Sequence, residues 1–182
     1  MKKATSGFTI VELAIVIIVI AILVGIVAVS YGNIRERSLN ASRITEANNV
    51  VEALTLYRSQ NGKFPSSLDA VGSEWCVGGN FPDVDNDGIG DCRNIGFNNP
   101  ASIAHENAAL NSDLKSSGLK ESGDRRIAGD GYLGPSVKRW DGDNQLWVYT
   151  YLDSNECPKP YTPIAWPARP DGVVMCRVRI DQ

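Results

Sequence analysis

Histidine is nearly absent from this chain: His105 is the only one among 182 residues. A lone imidazole, with no serine, cysteine or aspartate in a recognisable nucleophile–base arrangement, reads as a surface residue rather than a catalyst. No Cys-x-x-Cys pair is present either, which disfavours a zinc site. No cofactor-binding loop can be named, and the expectation is that the protein is not an enzyme. A basic stripe is missing as well. The 18 Lys and Arg against 21 Asp and Glu leave a net charge of −3 and are scattered, so no nucleic-acid partner is expected. There is no internal repeat. The most telling absence is local: no charged residue stands between Leu13 and Val29.

That gap belongs to a run of Ile, Val, Ala and Leu with one Gly, from Ile10 to Val29, whose only charge is Glu12. Twenty helical residues at 1.5 Å each reach about 30 Å, the thickness of a bilayer's hydrocarbon core. A secretory signal cut near Ala28-Val29-Ser30 is the first alternative, but its apolar region would be about 7–15 residues and would hold no acid. A plain single-pass anchor is the second. Lys2 and Lys3 precede the run and place it cytoplasm-side first, with everything after about Ser30 outside, although Arg35 and Arg37 flank Glu36 on the far side. A charge in mid-bilayer costs about 2.5–3.5 kcal/mol, less near the ends, so Glu12 is a candidate functional residue. No basic residue lies one or two turns along the helix. Its cation is therefore expected from another chain or from a new α-amino group, and cleavage after Gly7 would create one on Phe8.

The stretch Gly7-Phe8-Thr9-Ile10-Val11-Glu12-Leu13 behind a Lys-Lys leader resembles the processing site of type IV pilins and of the pseudopilins of type II secretion. The resemblance implies that a prepilin peptidase and N-methyltransferase cuts after Gly7 and methylates Phe8. It further implies that Glu12 pairs with the terminal amine of a neighbouring subunit during assembly on a membrane platform. The segment from Ala53-Leu54-Thr55-Leu56-Tyr57-Arg58 through Asn61-Gly62-Lys63-Phe64-Pro65 resembles the helix end of major pseudopilins. Val29 and Ala21 stand where many members carry Pro and Gly. The domain plan expected is a leader 1–7, a long helix 8–60 with its membrane segment at 10–29, and a loop-rich head 61–182.

Beyond the run, Ile34, Ala41, Ile44, Ala47, Val51, Leu54 and Tyr57 recur at helical spacing and predict one apolar stripe, the spine of the head. Asn61-Gly62 and Pro65 stop the helix. Ser66–Val71 reads as one helical turn. Residues 72–135 are rich in Gly, Asn, Asp and Ser and read as loops with a short helix around Ile103–Leu114. Val137–Trp140 and Gln145–Leu152 flank Asp141-Gly142-Asp143-Asn144 as a hairpin. Val174, Cys176, Val178 and Ile180 alternate with Met175, Arg177, Arg179 and Asp181 as a strand with one face buried. Five prolines from Pro158 to Pro170 mark the connection as an irregular loop. The fold class expected is α+β: a long N-terminal helix against a small antiparallel sheet, as in pilins.

Cys76, Cys92, Cys157 and Cys176 all fall outside the cytoplasm on this plan, and an even count there reads as two disulfides. Of three connectivities, Cys76–Cys92 and Cys157–Cys176 is favoured, each loop of about 15–20 residues contributing roughly 3 kcal/mol.

Asp83-Val84-Asp85-Asn86-Asp87-Gly88-Ile89-Gly90-Asp91 sets carboxylates at positions one, three, five and nine of a loop with Gly at six, and the Ile89 carbonyl at seven. Alternating hard oxygens with a glycine turn suit Ca²⁺. Asn94 replaces the bidentate Glu of an EF-hand, so a short structural calcium loop is expected, with a solvated acidic turn as the alternative. Asp130, Asp141 and Asp143 read as turn residues.

The function expected is a structural filament subunit of a pilus or a secretion pseudopilus, anchored in the inner membrane and then carried on an extracytoplasmic or cell-surface fibre. Its partners are copies of itself and related pilins. The alternative is a membrane-anchored binding module that does not polymerise, with Trp75, Trp140 and Trp166 lining its site.

Overall fold

The computed structural model describes residues 9–79, 81–83, 86–93, 104–120, 134–140, 145–164 and 173–180. Gly7, Phe8, Asp85, Asp130, the 141–144 turn and Trp166 lie outside the described residues. The chain divides into two compact units, residues 1–39 and 40–182. A helix, α1, runs Ile10–Asn61.

In the first unit the apolar residues of Ile10–Val27 find no protein to pack against. Ile10–Val27 is 18 residues long, apolar enough to cross a membrane, and none of its side chains is buried. Ile17, Ile22 and Leu23 are all more than half exposed. Its backbone groups satisfy one another along the helix, the condition for a segment that leaves water. Ile34, expected on the packed stripe, is 64% exposed.

In the second unit α1 buries Ala47, Val50, Ala53 and Leu54, and half-buries Ile44, Val51 and Tyr57. The packed stripe therefore carries Val50 and Ala53, which the three- and four-step reading passed over. The helix ends as Asn61-Gly62 predicts. Gly62 adopts φ 74° and its N–H donates to the Arg58 carbonyl at 2.8 Å, an αL cap that a Cβ would strain.

A 3₁₀ turn, Ser66–Leu68, follows Pro65. Then come β1 (Glu74–Cys76), β2 (Asp91–Arg93), β3 (Ala104–Glu106), α2 (Ala108–Ser116), β4 (Ser136–Arg139), β5 (Leu146–Asp153), β6 (Thr162–Pro163) and β7 (Val173–Arg179). The class is α+β. The sheet departs from the expected small antiparallel one: it has seven strands in the order β2-β3-β1-β4-β5-β7-β6 and is mixed, β1 running parallel to β3. The expected loop region holds three of these strands. Each is three residues long, too short for a period of two to show. The helix expected at Ile103–Leu114 starts later because Ala104–Glu106 pairs as β3; Asn107 then caps α2 by accepting from Leu110 N–H at 3.0 Å. The proline-rich connection contributes β6, which pairs with β7 at Thr162↔Arg177.

One sheet face carries Val137, Leu146, Val148, Leu152 and Cys176, in one core with Val50 and Leu54 of α1 and Leu110 and Leu114 of α2. Asn40 and Asp153 exchange two hydrogen bonds at 2.9 Å each, and Arg43 reaches the Asp153 carboxylate at 3.0 Å. These tie the start of this helical stretch to the end of β5. Both expected disulfides are present, Cys76–Cys92 and Cys157–Cys176, with Cα separations of 5.4 and 5.7 Å.

Candidate functional site

Among the predicted site residues, Glu12 is the one placed where its chemistry is unusual. It is exposed, in the first turn of α1, at the head of the apolar run. Its carboxylate is not bare. Thr9 donates to Glu12 Oε2 from its backbone N–H at 2.8 Å and from its hydroxyl at 2.7 Å, and Glu12 N–H donates back to Thr9 Oγ1 at 3.2 Å. Thr9 also accepts the first intrahelical bond, from Leu13 N–H at 3.2 Å. This is a reciprocal capping box, Thr at N-cap and Glu at N3, which satisfies amides that a helix start otherwise leaves orphaned. The helix dipole favours the negative charge there.

An expectation framed on cations leaves out these neutral donors from Thr9. The signal was in the sequence as Thr9-x-x-Glu12. Both Thr9 bonds land on Oε2, so the cap occupies one oxygen and leaves the carboxylate's charge intact for a cation.

The acidic loop is built differently. Asp83 accepts from Asp87 N–H at 3.1 Å and from Gly88 N–H at 2.9 Å, and Asp87 accepts from Ile89 N–H at 2.8 Å. Asn86 takes a left-handed φ of 64°, which Asn tolerates best after Gly. At the neck, Asp91 N–H donates to the Pro82 carbonyl at 2.8 Å and Phe81 N–H to the Glu106 carboxylate at 3.2 Å, beside the Cys76–Cys92 bridge. Gly90 is obligatory there, since a Cβ would fall 2.7 Å from the Phe81 carbonyl oxygen.

Asp91 is fully buried and turned to His105, whose Nδ1 lies 2.8 Å from its Oδ1; Asp87 Oδ2 is 3.7 Å from the same nitrogen. His105, read as a surface residue, is half-buried and stands between two acids of the loop. Among the described residues, no three His, Cys, Asp or Glu side chains converge where a metal ion would sit. Asp83 and Asp87 accept the loop's own amides, and Asp91 faces His105. Asp85, the remaining member of the expected calcium set, is not among those described.

Trp75 and Trp140 make separate contacts. Trp75 is half-buried against the core, with its indole N–H donated to the Ser67 carbonyl at 3.1 Å. Trp140, 37% exposed, donates its indole N–H to the Tyr149 hydroxyl. Burial pushes the Tyr149 phenol up, the Trp140 bond opposing. Burial likewise pushes Tyr161 up to about 12; its hydroxyl donates to Asn48 Oδ1 at 2.8 Å.

The site that stands out is thus an exposed apolar helix with a single capped carboxylate at its first turn. No family model, curated protein or solved structure matches the chain.

Proposed function

We propose that this chain is a structural subunit of a filament of the type IV pilus or type II secretion pseudopilus kind. The leader is cut after Gly7, Phe8 becomes the N-methylated first residue, and Ile10–Val27 holds the processed chain in the cytoplasmic membrane with residues 40–182 outside. Assembly then brings chains together along this helix, each Glu12 neutralised by the Phe8 amine of a neighbour. The observation that supports this reading most is an 18-residue unburied apolar run whose one charge is a carboxylate near its start. Outside water such a run is stable in lipid or against other helices, and the net charge that the Thr9 cap leaves on Glu12 is stabilised there by a cation.

Intact mass and N-terminal sequencing of the protein from its own cells test the processing step. A chain beginning at N-methylated Phe8 supports the reading. A chain beginning near Ser30 indicates a secreted soluble domain, and one retaining Met1 a plain anchor. Glu12→Ala tests assembly: filaments fall below detection while the processed chain stays in the membrane. Glu12→Ala filaments at normal abundance would leave the anchored, non-polymerising binding module as the better reading.

A further inference from the structure

One dipeptide carries a chemistry that the proposed function does not use. Asn61-Gly62 is the only asparagine followed by glycine in the chain. An asparagine loses its side-chain amide most readily before glycine, because glycine has no side chain to shield the nitrogen that attacks. The reaction needs only water as co-reactant. The deprotonated Gly62 nitrogen attacks Asn61 Cγ and closes a five-membered succinimide. The Cγ–Nδ2 bond breaks, and Nδ2 leaves as ammonia with a proton taken from water. A second water then opens the imide at either carbonyl, giving aspartate or isoaspartate.

Both reacting groups stand at the end of α1, open to solvent and yet engaged. Asn61 is the last residue of the helix and is exposed. Beyond its chain neighbours, no described atom lies within 4 Å of where a Cβ on Gly62 would be, so solvent base reaches the nitrogen. That nitrogen, however, donates its N–H to the Arg58 carbonyl at 2.8 Å, and deprotonation has to break the bond. The leaving group is held too: Asn61 Nδ2 donates to the Tyr57 carbonyl at 3.0 Å, which engages the amide with the preceding turn. The turn is fastened on two sides. The Arg58 guanidinium lies 5.0 Å from the Phe64 ring centroid, and the Ser117 hydroxyl at the end of α2 donates to Gln60 Oε1 at 3.3 Å.

We infer that Asn61 is a deamidation site gated by the end of α1: closed while the cap is made, open when the last turn frays or the head unfolds. The reactive fraction is then set by the local opening equilibrium of that turn. The product is not neutral to the fold. An aspartate at position 61 puts a negative charge among the last carbonyls of the helix, where the dipole disfavours it, and has no N–H for the Tyr57 carbonyl. An isoaspartate inserts a methylene into the backbone before Gly62, and the Gly62–Arg58 bond loses its register. Either product weakens the cap that protected the site, so an opening that ends in reaction leaves a permanent record on the chain. The gate is independent of the filament reading.

The test incubates the full-length protein in detergent at mildly alkaline pH, native and in guanidinium chloride. The peptide holding Asn61 is followed by mass spectrometry, with isoaspartate distinguished by electron-transfer fragmentation. Asn61 should convert at least about tenfold faster in the denatured chain than in the native one, a ratio that reports the opening of the last turn. Arg58→Ala removes the contact with Phe64 and keeps the carbonyl that accepts from Gly62. It should raise the native rate about two- to fivefold, the worth of an exposed cation–π contact, and leave the denatured rate unchanged. Equal native and denatured rates in the wild-type chain overturn the inference, as does an Asn61 that stays intact in guanidinium chloride. A native Arg58→Ala chain that reacts at the wild-type rate overturns the gate.

Discussion

Two stretches of one helix, Ile10–Val27 and Asn40–Asn61, use similar apolar side chains and treat them in opposite ways. In the first, isoleucines and valines ring the whole circumference and none is buried. In the second, one stripe of Ala47, Val50, Ala53 and Leu54 is sealed in the core, flanked by half-buried Ile44, Val51 and Tyr57, and most other positions are polar. The difference is periodicity, not hydrophobicity. A helix apolar all round matches a uniformly apolar surrounding, and a helix apolar on one side matches a single packed face.

The comparison breaks most visibly by truncation. Leu54→Ala should destabilise residues 40–182 by about 2–5 kcal/mol, because Leu54 is fully buried and leaves a cavity. Ile18→Ala should leave the denaturant midpoint of the detergent-solubilised chain unchanged, its side chain touching no protein core. Equal effects would mean that the first stretch also packs within the chain. Next in size, Ile18→Lys should cost membrane insertion about 2.5–3.5 kcal/mol and move protein from the carbonate-resistant to the soluble fraction. Retention in the membrane at wild-type level would remove the bilayer as the surrounding of Ile10–Val27.

A smaller effect is expected at Thr9→Val, which deletes the cap hydroxyl and should destabilise the first turn of α1 by about 1 kcal/mol. Faster amide exchange at residues 10–13, with no change beyond Asn40, is the readout. Thr9→Ser should restore wild-type exchange.

A further effect concerns pH. Tyr161 is held protonated by burial to about 12, whereas in the unfolded chain it titrates near 10. The native state therefore binds more protons than the unfolded one above about pH 10. The stabilisation is complete below that and is lost as pH rises through 12. Tyr161→Phe should flatten the fall in denaturant midpoint between pH 10 and 12, incompletely, since Tyr149 shifts in the same direction. An unchanged slope would show that Tyr161 is not buried.

How legible each part was in the sequence depends on how far apart the cooperating residues lie. The membrane-length run, the helix stop at Asn61-Gly62, the β4–β5 hairpin and the alternation in β7 are local patterns, and each appears where its pattern predicts. The disulfides followed from spacing, because closing the nearest loops is entropically easiest. β1, β2 and β3 carry no such pattern: three residues each, they are strands because Trp75 pairs with His105 and Val137, and Cys76 is bridged to Cys92. The His105–Asp91 contact was hidden for the same reason, its partners being brought together by the β2–β3 pairing. Thr9 was overlooked for another: once Glu12 is weighed as a charge in an apolar run, a search for cations passes over a hydroxyl and an amide three residues away.

The neck of the acidic loop has an engineering consequence. Residues 81–91 leave and return through a gate formed by the Asp91–Pro82 bond, the Phe81–Glu106 bond and a glycine with no room for a methyl group. Length changes at the tip are therefore insulated from the sheet, whereas a single added methyl group at Gly90 is not. A short peptide tag spliced after Gly88 would be displayed on a fixed stem, and antibody labelling of such a tag would report where this edge of the molecule faces on intact cells.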